Sequence, residues 1–173
     1  MQCLYVRHNI VHTMKRDITI KIIGNQYKER RETGPDGFDE TVLQDAQIQE
    51  FPASFYDKDG VYYVLYEEEN EEDPEPVKAT LKFDWSSMEL TKRGLLNSRM
   101  IFKENESFKS DYVTPFGTFT LGIFTKEYSA SGIPDSDIEG LLPEKINLHA
   151  VYDMEINDEF ASENEITVIL DLT

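Results

Sequence analysis

Apolar and polar residues alternate with a period of two along most of this chain, which predicts β-strands. The clearest runs are Ile18–Ile22, Val77–Phe83 and Lys145–Ile156, and in the last run every even-numbered residue from Ile146 onward is apolar. Turn sequences such as Asp57-Lys58-Asp59-Gly60 separate neighbouring runs. About ten strands joined mostly by hairpins predict an all-β barrel or sandwich. Because closure removes exposed edges, we expect a single antiparallel β-barrel of roughly eight to ten strands.

Two hairpins carry further expectations. Both faces of Val61–Tyr66 are apolar or aromatic, so we expect this strand to be covered on both sides. Asn97–Lys103 and Phe108–Thr114 should pair around a short turn, and Pro115 with Gly117 should end the pairing. One face of the first of these strands has the character of a core: Ser98, Met100 and Phe102.

Three segments fall outside the alternation. Residues 1–13 contain no acidic residue but two of the three histidines, and Met14 then opens the first strand pattern. We interpret residues 1–13 as an extension from an upstream start codon and residues 14–173 as the barrel domain; a short arm or helix packed on the barrel is the alternative. Residues 24–46 and 129–143 are rich in turn-forming residues, which predicts two long loops that could gate a barrel mouth. For the first loop, the alternative is a loop with a small element of its own at Thr41–Ala46.

The composition excludes some classes of function. With 173 residues, ten Phe and nine Tyr, the chain can build one substantial core. Its net charge of -17 argues against binding to nucleic acid or anionic membranes, because basic residues supply most of that affinity. The acidic surface is expected to maintain solubility; recruitment of a basic partner is the alternative. A single cysteine and no visible signal peptide predict a cytoplasmic protein.

Several segments resemble the YwiB-like family of small bacterial proteins of unknown function, whose fold is a calycin-type β-barrel. The resemblance covers roughly Lys15 to the C-terminus. The segments that carry it are Ile18–Gly24, Tyr63–Glu68, Lys92-Arg93-Gly94, Asn97–Phe102, Tyr112–Gly117 and Gly122–Lys126. It implies a lipocalin-like barrel, which in lipocalins and fatty-acid-binding proteins holds apolar small molecules. It implies no activity, since fold alone does not determine function.

The element Thr114-Pro115-Phe116-Gly117 is the first candidate site. Proline removes a hydrogen-bond donor from the sheet and glycine permits unusual backbone angles, so strands end or bend here. Tyr112, Thr114 and Phe116 could then line the mouth of a cavity, with Tyr63 and Phe124 as further apolar walls. The alternative is a tight corner between strands with no ligand.

A second candidate site contains Arg93, Asn97 and Arg99. If Arg99 points inward beside Asn97, its guanidinium group could hold the carboxylate of a fatty-acid-like ligand. The alternative is a cation on the outer face, paired with some of the many acidic residues.

Catalytic and metal sites are not expected, and no cofactor is implied. His149 stands alone on the polar face of its strand, and His8 and His12 have helical spacing without further ligands. An enzymatic role would require His149, Asp153 or Arg99 to lie together in a cleft. The leading hypothesis is therefore non-enzymatic binding of a small, partly apolar molecule in the barrel. The alternative is a protein–protein interaction module with an acidic surface and a packed, ligand-free barrel, whose protein partner is unknown.

Overall fold

A computed structural model of the chain describes residues 14–30, 40–58, 60–133 and 143–173, and these residues form a sheet of ten strands. None of them forms an apolar helix of membrane-spanning length. The strands are β1 Met14–Arg30, β2 Glu40–Lys58, β3 Val61–Asn70, β4 Asp73–Phe83, β5 Ser87–Arg93, β6 Ser98–Lys103, β7 Ser107–Thr114, β8 Gly117–Ser131, β9 Lys145–Ile156 and β10 Glu159–Asp171. The expected all-β class is confirmed.

All neighbouring strands are antiparallel, in the order β6-β5-β4-β3-β2-β1-β10-β9-β8-β7. The sheet curls until its two edge strands meet. Asn97, next to β6, and Val113 on β7 exchange two backbone hydrogen bonds of 2.9 Å. This single bridge makes the sheet a nearly closed barrel.

The sequence predicted that β6 and β7 pair along their length. In the structure they are joined only by this one bridge. The turn after β6 instead bonds to β8. Asn105 N donates to Thr125 O at 2.8 Å, and Thr125 N donates to Glu106 O at 3.2 Å. Those bonds draw the start of β7 toward β8 and away from β6. In the gap, the hydroxyl of Ser110 donates to the backbone carbonyl of Arg99 at 2.6 Å.

The interior of the barrel is filled by side chains. The predicted alternation in β9 is confirmed, with Ile146, Leu148 and Ala150 fully buried. Ser98–Phe102 also behaves as expected, since Phe102 is fully buried and Met100 packs on the core. The largest side chains with almost no exposure are Phe55, Phe83, Phe102, Ile20, Leu81, Met88, Ile146, Leu148, Leu170, Leu172, Val64 and Val168. They occupy the space in which the leading sequence hypothesis placed a ligand.

The two ends of the barrel differ. At the base end, where β2 turns into β3 and β4 into β5, Ile133 and Leu172 are buried beneath the strands and close the barrel. At the mouth end lie the turns from β3 to β4, β7 to β8 and β9 to β10. Phe51, Met100, Tyr112 and Met154 pack on the core while remaining partly exposed.

Two expectations about loops need correction. Residues 24–30 and 40–46 are strand, so the long loop predicted at 24–46 is mostly a paired extension of β1 and β2. Residues 43–46 are exposed on both faces, so burial imposes no alternation there and the sequence has the composition of a loop. β8 likewise continues to Ser131 inside the predicted loop at 129–143. Residues 1–13, 31–39 and 134–142 lie outside the described residues, and so does the interpretation of the first thirteen.

The expectation that β3 is covered on both faces is also wrong. Tyr62, Val64 and Tyr66 are buried, and Tyr62 stacks against Phe55 and Phe83 at centroid distances of 5.7 and 5.3 Å. Leu65, on the opposite face, is 44% exposed. The outer face of β3 is therefore an apolar surface open to solvent.

Candidate functional site

A concave groove of about 980 Å³ lies on the outer face of β1–β5. Its floor crosses β3 at the exposed Leu65, and it is open to solvent along one side. Because side chains alternate between the two faces of a strand, most of the residues that line it point away from the packed interior. Four inward-facing residues of the core also border it: Ile18, Ala53, Tyr66 and Ala79. The outward residues that line it are Asp17, Pro52, Ser54, Tyr56, Leu65, Glu67, Lys78, Thr80, Thr91 and Arg93.

Pro52 helps to shape this groove. β2 pairs with β3 from Lys58 to Ala53, and the pairing stops at the next residue, Pro52. Proline has no N–H to donate, so the ladder ends there and β2 diverges from β3. Leu65, opposite Ser54, and Tyr56, opposite Tyr63, lie in the paired part of the two strands, and both line the groove next to the point where the pairing ends. The larger part of the lining surface is apolar.

Two cations lie side by side at one end of the groove. Lys78 on β4 is directly opposite Arg93 on β5, and both side chains are exposed. On the other side of Lys78, Glu67 of β3 is its cross-strand neighbour. Among the described residues, neither Lys78 nor Arg93 has a carboxylate within 4.0 Å. Both cations are thus available to an anionic group in the groove.

Arg93 is the sequence-predicted residue that the structure places in this groove. Its two predicted companions lie elsewhere. The amide of Asn97 closes the β5–β6 turn, accepting from Gly94 N at 3.3 Å and donating to Gly94 O at 3.2 Å. Arg99 lies on the outer surface, where Nε donates to Glu89 Oε1 at 2.7 Å and Nη2 to Glu89 Oε2 at 3.2 Å.

The orientation of Arg99 agrees with the alternative of an outward cation paired with an acid. The hydrogen bond from Arg99, together with its charge, lowers the pKa of Glu89, and the same bond raises the pKa of Arg99. An inward anchor of Arg99 with Asn97 is therefore absent from the described interior. The reason lies in register, since Arg99 pairs with Thr91 on the outward face of β5.

The predicted apolar walls do not gather around one cavity. Tyr112 faces the core at the mouth end, whereas Tyr63 and Phe124 belong to outward faces of distant strands. Phe116 is 94% exposed at the tip of the β7–β8 turn. Thr114 holds that turn, accepting from Phe116 N at 3.2 Å and donating to Gly117 O at 3.0 Å. The segment Thr114–Gly117 is therefore a tight corner between β7 and β8, as the alternative interpretation had it.

A polar cluster that the sequence analysis missed lies at the mouth end. Lys92 Nζ is 2.7 Å from Glu68 Oε1, and both side chains share the inward face with Tyr66 and Leu90. The hydroxyl of Tyr66 is buried without a hydrogen-bond partner among the described residues. Burial and the neighbouring carboxylate raise the pKa of Tyr66. The sequence did contain a signal for this cluster. Glu68 and Lys92 are even-numbered, like the inward-facing residues Tyr66 and Leu90 that precede them on the same strands.

The family of this chain follows from a sequence match that covers most of the fold. The family model described as a domain of unknown function, DUF1934, matches residues 31–168. The chain belongs to the DUF1934 family. A structural match is the crystal structure of the ywiB protein from Bacillus subtilis, with a TM-score of 0.64 and 19% sequence identity. The match covers 92% of this chain and 93% of that chain, and at this identity it shows the fold alone.

The resemblance drawn from the strand segments is thereby confirmed, and it leaves the activity of this DUF1934 domain open. No curated protein matches the chain.

His149 of this DUF1934 domain lies on the outer face. His149 Nε2 is 2.7 Å from Glu165 Oε1, and Tyr27 donates to Glu165 Oε2 at 3.1 Å. Asp153 pairs with Lys126 at 2.9 Å. None of these side chains lines the groove, and the described residues contain no cluster of potential metal ligands. The arrangement required for the enzymatic alternative is therefore absent from the described part of the fold.

Proposed function

We propose that this DUF1934 domain binds a small, partly apolar anion in the groove on the outer face of β1–β5. The observation that carries the proposal is the adjacent pair Lys78 and Arg93 at the end of an exposed apolar floor. The size of the groove is within the range of small-molecule sites, roughly 300–1,000 Å³. The proposal keeps the ligand class expected from the sequence and moves the site from the filled interior to the outer face.

Each part of the groove has a distinct role in this proposal. The apolar portion of the ligand covers Leu65 and the ring of Tyr56, which removes exposed apolar surface from water. The anionic group lies between Lys78 and Arg93, where the guanidinium fork suits a carboxylate or phosphate. Binding of an anion would also relieve the repulsion between the two cations. The groove also contains the acids Asp17 and Glu67, so the adjacent pair Lys78 and Arg93 marks the end of it that favours an anion.

The first experiment is native mass spectrometry of the protein purified from cells, followed by identification of any molecule released on mild denaturation. A co-purified anion with an apolar portion is the expected result. In parallel, the fluorescent anion anilinonaphthalene sulfonate is titrated into the wild type and into Arg93→Gln. We expect at least tenfold weaker binding by the variant, because a hydrogen bond to a charged group contributes about 1.5–3 kcal/mol.

Lys82→Gln is the matched control, because Lys82 is an exposed cation on β4 that does not line the groove. It removes the same charge and should bind the dye as the wild type does. Leu65→Gln tests the apolar floor and should weaken binding without a change in net charge. Equal affinity of the wild type, Arg93→Gln and Leu65→Gln would overturn the proposal.

A further inference from the structure

One edge of the sheet has no partner strand in the described ranges. β2 pairs with β1 along its whole length, from Asp57 back to Glu40, but with β3 only from Lys58 to Ala53. The segment Leu43–Phe51, which we call the free edge, therefore has β1 on one side and no described strand on the other. Its backbone N–H and C=O groups on that side are available to an added strand.

The free edge also lacks most features that protect natural edge strands. Such strands usually carry lysine, proline or inward charges. Here every residue from 43 to 50 is exposed, and two of them are large and apolar, Leu43 and Ile48. The segment contains no lysine and no proline, and its acids are Asp45 and Glu50. One bulge interrupts the pairing with β1 at Gln44, at the far end.

We propose that the free edge pairs with the same edge of a second copy of this chain. The two strands would run antiparallel across a two-fold axis at Gln47, which is an isologous contact. In this register Asp45 lies opposite Gln49, Glu50 opposite Gln44, and Ile48 opposite Ala46. No acid faces an acid, and the two Ile48 side chains become diagonal neighbours on one face. The segment can thus pair with itself without placing like charges opposite each other, and the pairing brings apolar side chains together.

The backbone alternation agrees with this register. Lys58 and Val61 flank a two-residue turn, so they exchange hydrogen bonds, and even-numbered residues of β2 direct their backbone groups toward the β3 side. On the free edge these include Ala46 and Ile48, which face each other across the proposed axis. Gln47 then forms a non-hydrogen-bonded pair with its symmetry mate, with a Cα separation of about 4.5 Å.

The dimer should be weak and promoted by salt. Pairing of one short strand buries less than the roughly 1,200–2,000 Å² of a stable interface. Each copy also carries a net charge of -17, so the copies repel each other at low ionic strength. Salt screens that repulsion, because the Debye length falls from about 30 Å at 0.01 M to about 8 Å at 0.15 M.

Sedimentation velocity of the full chain over a range of protein and salt concentrations tests the proposal. We expect a shift toward the dimer as either concentration rises, and its loss in Ile48→Glu and Ala46→Pro. Phe116→Glu is the matched control: it makes the same change of charge at an exposed apolar side chain on the β7–β8 turn, and should dimerise as the wild type does. A monomer under all conditions, or a dimer that survives both edge substitutions, would overturn the proposal.

A cross-linking experiment tests the register. In a Cys3→Ser background, Gln47→Cys should form a disulfide-linked dimer on mild oxidation, because the two Cα atoms are within disulfide range. Gln44→Cys should not, since the two copies of that position would be roughly 20 Å apart. Circular dichroism confirms that each variant retains its strands. Cross-linking at 44 but not at 47 would overturn the two-fold axis at Gln47.

Discussion

Lys78 on β4 lies directly opposite Arg93 on β5, on the outer face of a chain in which acidic residues outnumber basic residues two to one. Like charges in this position destabilise a sheet. Four residue pairs further along the same strands, Lys82 lies opposite Glu89, which is a favourable arrangement of opposite charges. The unfavourable pair borders the apolar groove, and the favourable pair does not.

Removing one of the two cations should stabilise the fold. We expect Arg93→Gln to raise the free energy of unfolding by about 0.2–1 kcal/mol, since it relieves a cross-strand repulsion. Lys82→Gln should lower it by a similar amount, because it removes the attraction to Glu89. Urea denaturation at low salt measures both variants. Changes of the same sign would contradict the electrostatic explanation.

The filled interior makes a strong prediction for Phe102. This side chain is fully buried, and its ring meets that of Tyr152 edge-on at a centroid distance of 4.8 Å. We expect Phe102→Ala to lower the free energy of unfolding by about 3–5 kcal/mol, because the packed surroundings can close the resulting cavity only in part. Phe116→Ala, at the exposed turn, should change it by less than about 0.5 kcal/mol. Denaturant unfolding compares the two, and a small effect at Phe102 would indicate a loosely filled barrel.

The inward ion pair at the mouth end should matter more than the outward one. Lys92→Met leaves the Glu68 carboxylate beside the buried hydroxyl of Tyr66 without its cation. We expect a loss of about 1–3 kcal/mol in the free energy of unfolding, typical of a buried polar group left unpaired. Arg99→Met removes the exposed partner of Glu89 and should cost at most about 1 kcal/mol. Thermal and urea unfolding measure both, and equal losses would show that Glu68 is well solvated.

Glu165 should contribute to acid denaturation. Its hydrogen bond with His149 lowers its pKa below the ordinary value of 4.5, and the hydroxyl of Tyr27 adds to this effect. A carboxyl group with a lowered folded-state pKa stabilises the fold above its unfolded pKa, and this stability is lost as the pH falls through the folded-state pKa. Below about pH 4.5 the wild type should therefore lose stability more steeply than Glu165→Gln.

The matched control for that titration is Glu159→Gln, which changes an exposed glutamate at the start of the same strand. We expect its free energy of unfolding to follow the wild-type dependence on pH. The measurement covers roughly pH 3 to 6, the range in which ordinary carboxyl groups titrate. If the free energy of unfolding depends on pH in the same way for the wild type and for Glu165→Gln, the proposed contribution of Glu165 is contradicted.

The strands could be predicted wherever one face of the sheet is buried. The buried residues Ile146, Leu148 and Ala150 alternate with the polar residues Lys145, Asn147 and His149 because only one face meets the core. The paired segments 24–30 of β1 and 40–46 of β2 could not be recognised in this way. Backbone pairing holds them together, and it does not require a particular pattern of residue types. For the same reason, the first part of the free edge, residues 43–46, was assigned to a loop.

The candidate site was less accessible from sequence than the fold. Arg93 was identified as a candidate, but its neighbour Lys78 was not, since they are fifteen positions apart in sequence and meet only through the register of β4 with β5. Whether Arg99 points inward or outward also depended on register. A shift by one residue moves every side chain of a strand to the other face, so alternation alone cannot assign the inside of a barrel.

The amino-acid sequence by itself determined the class of fold, the approximate strands and the family resemblance, because all three depend on local patterns of residue type. Tertiary structure decided where the barrel is filled, where it closes through Asn97 and Val113, and which charges become neighbours. These properties depend on the curl and register of the whole sheet. The outer groove arises where Pro52 ends the pairing of β2 with β3 and Lys78 meets Arg93. That arrangement exists only once five strands have assembled.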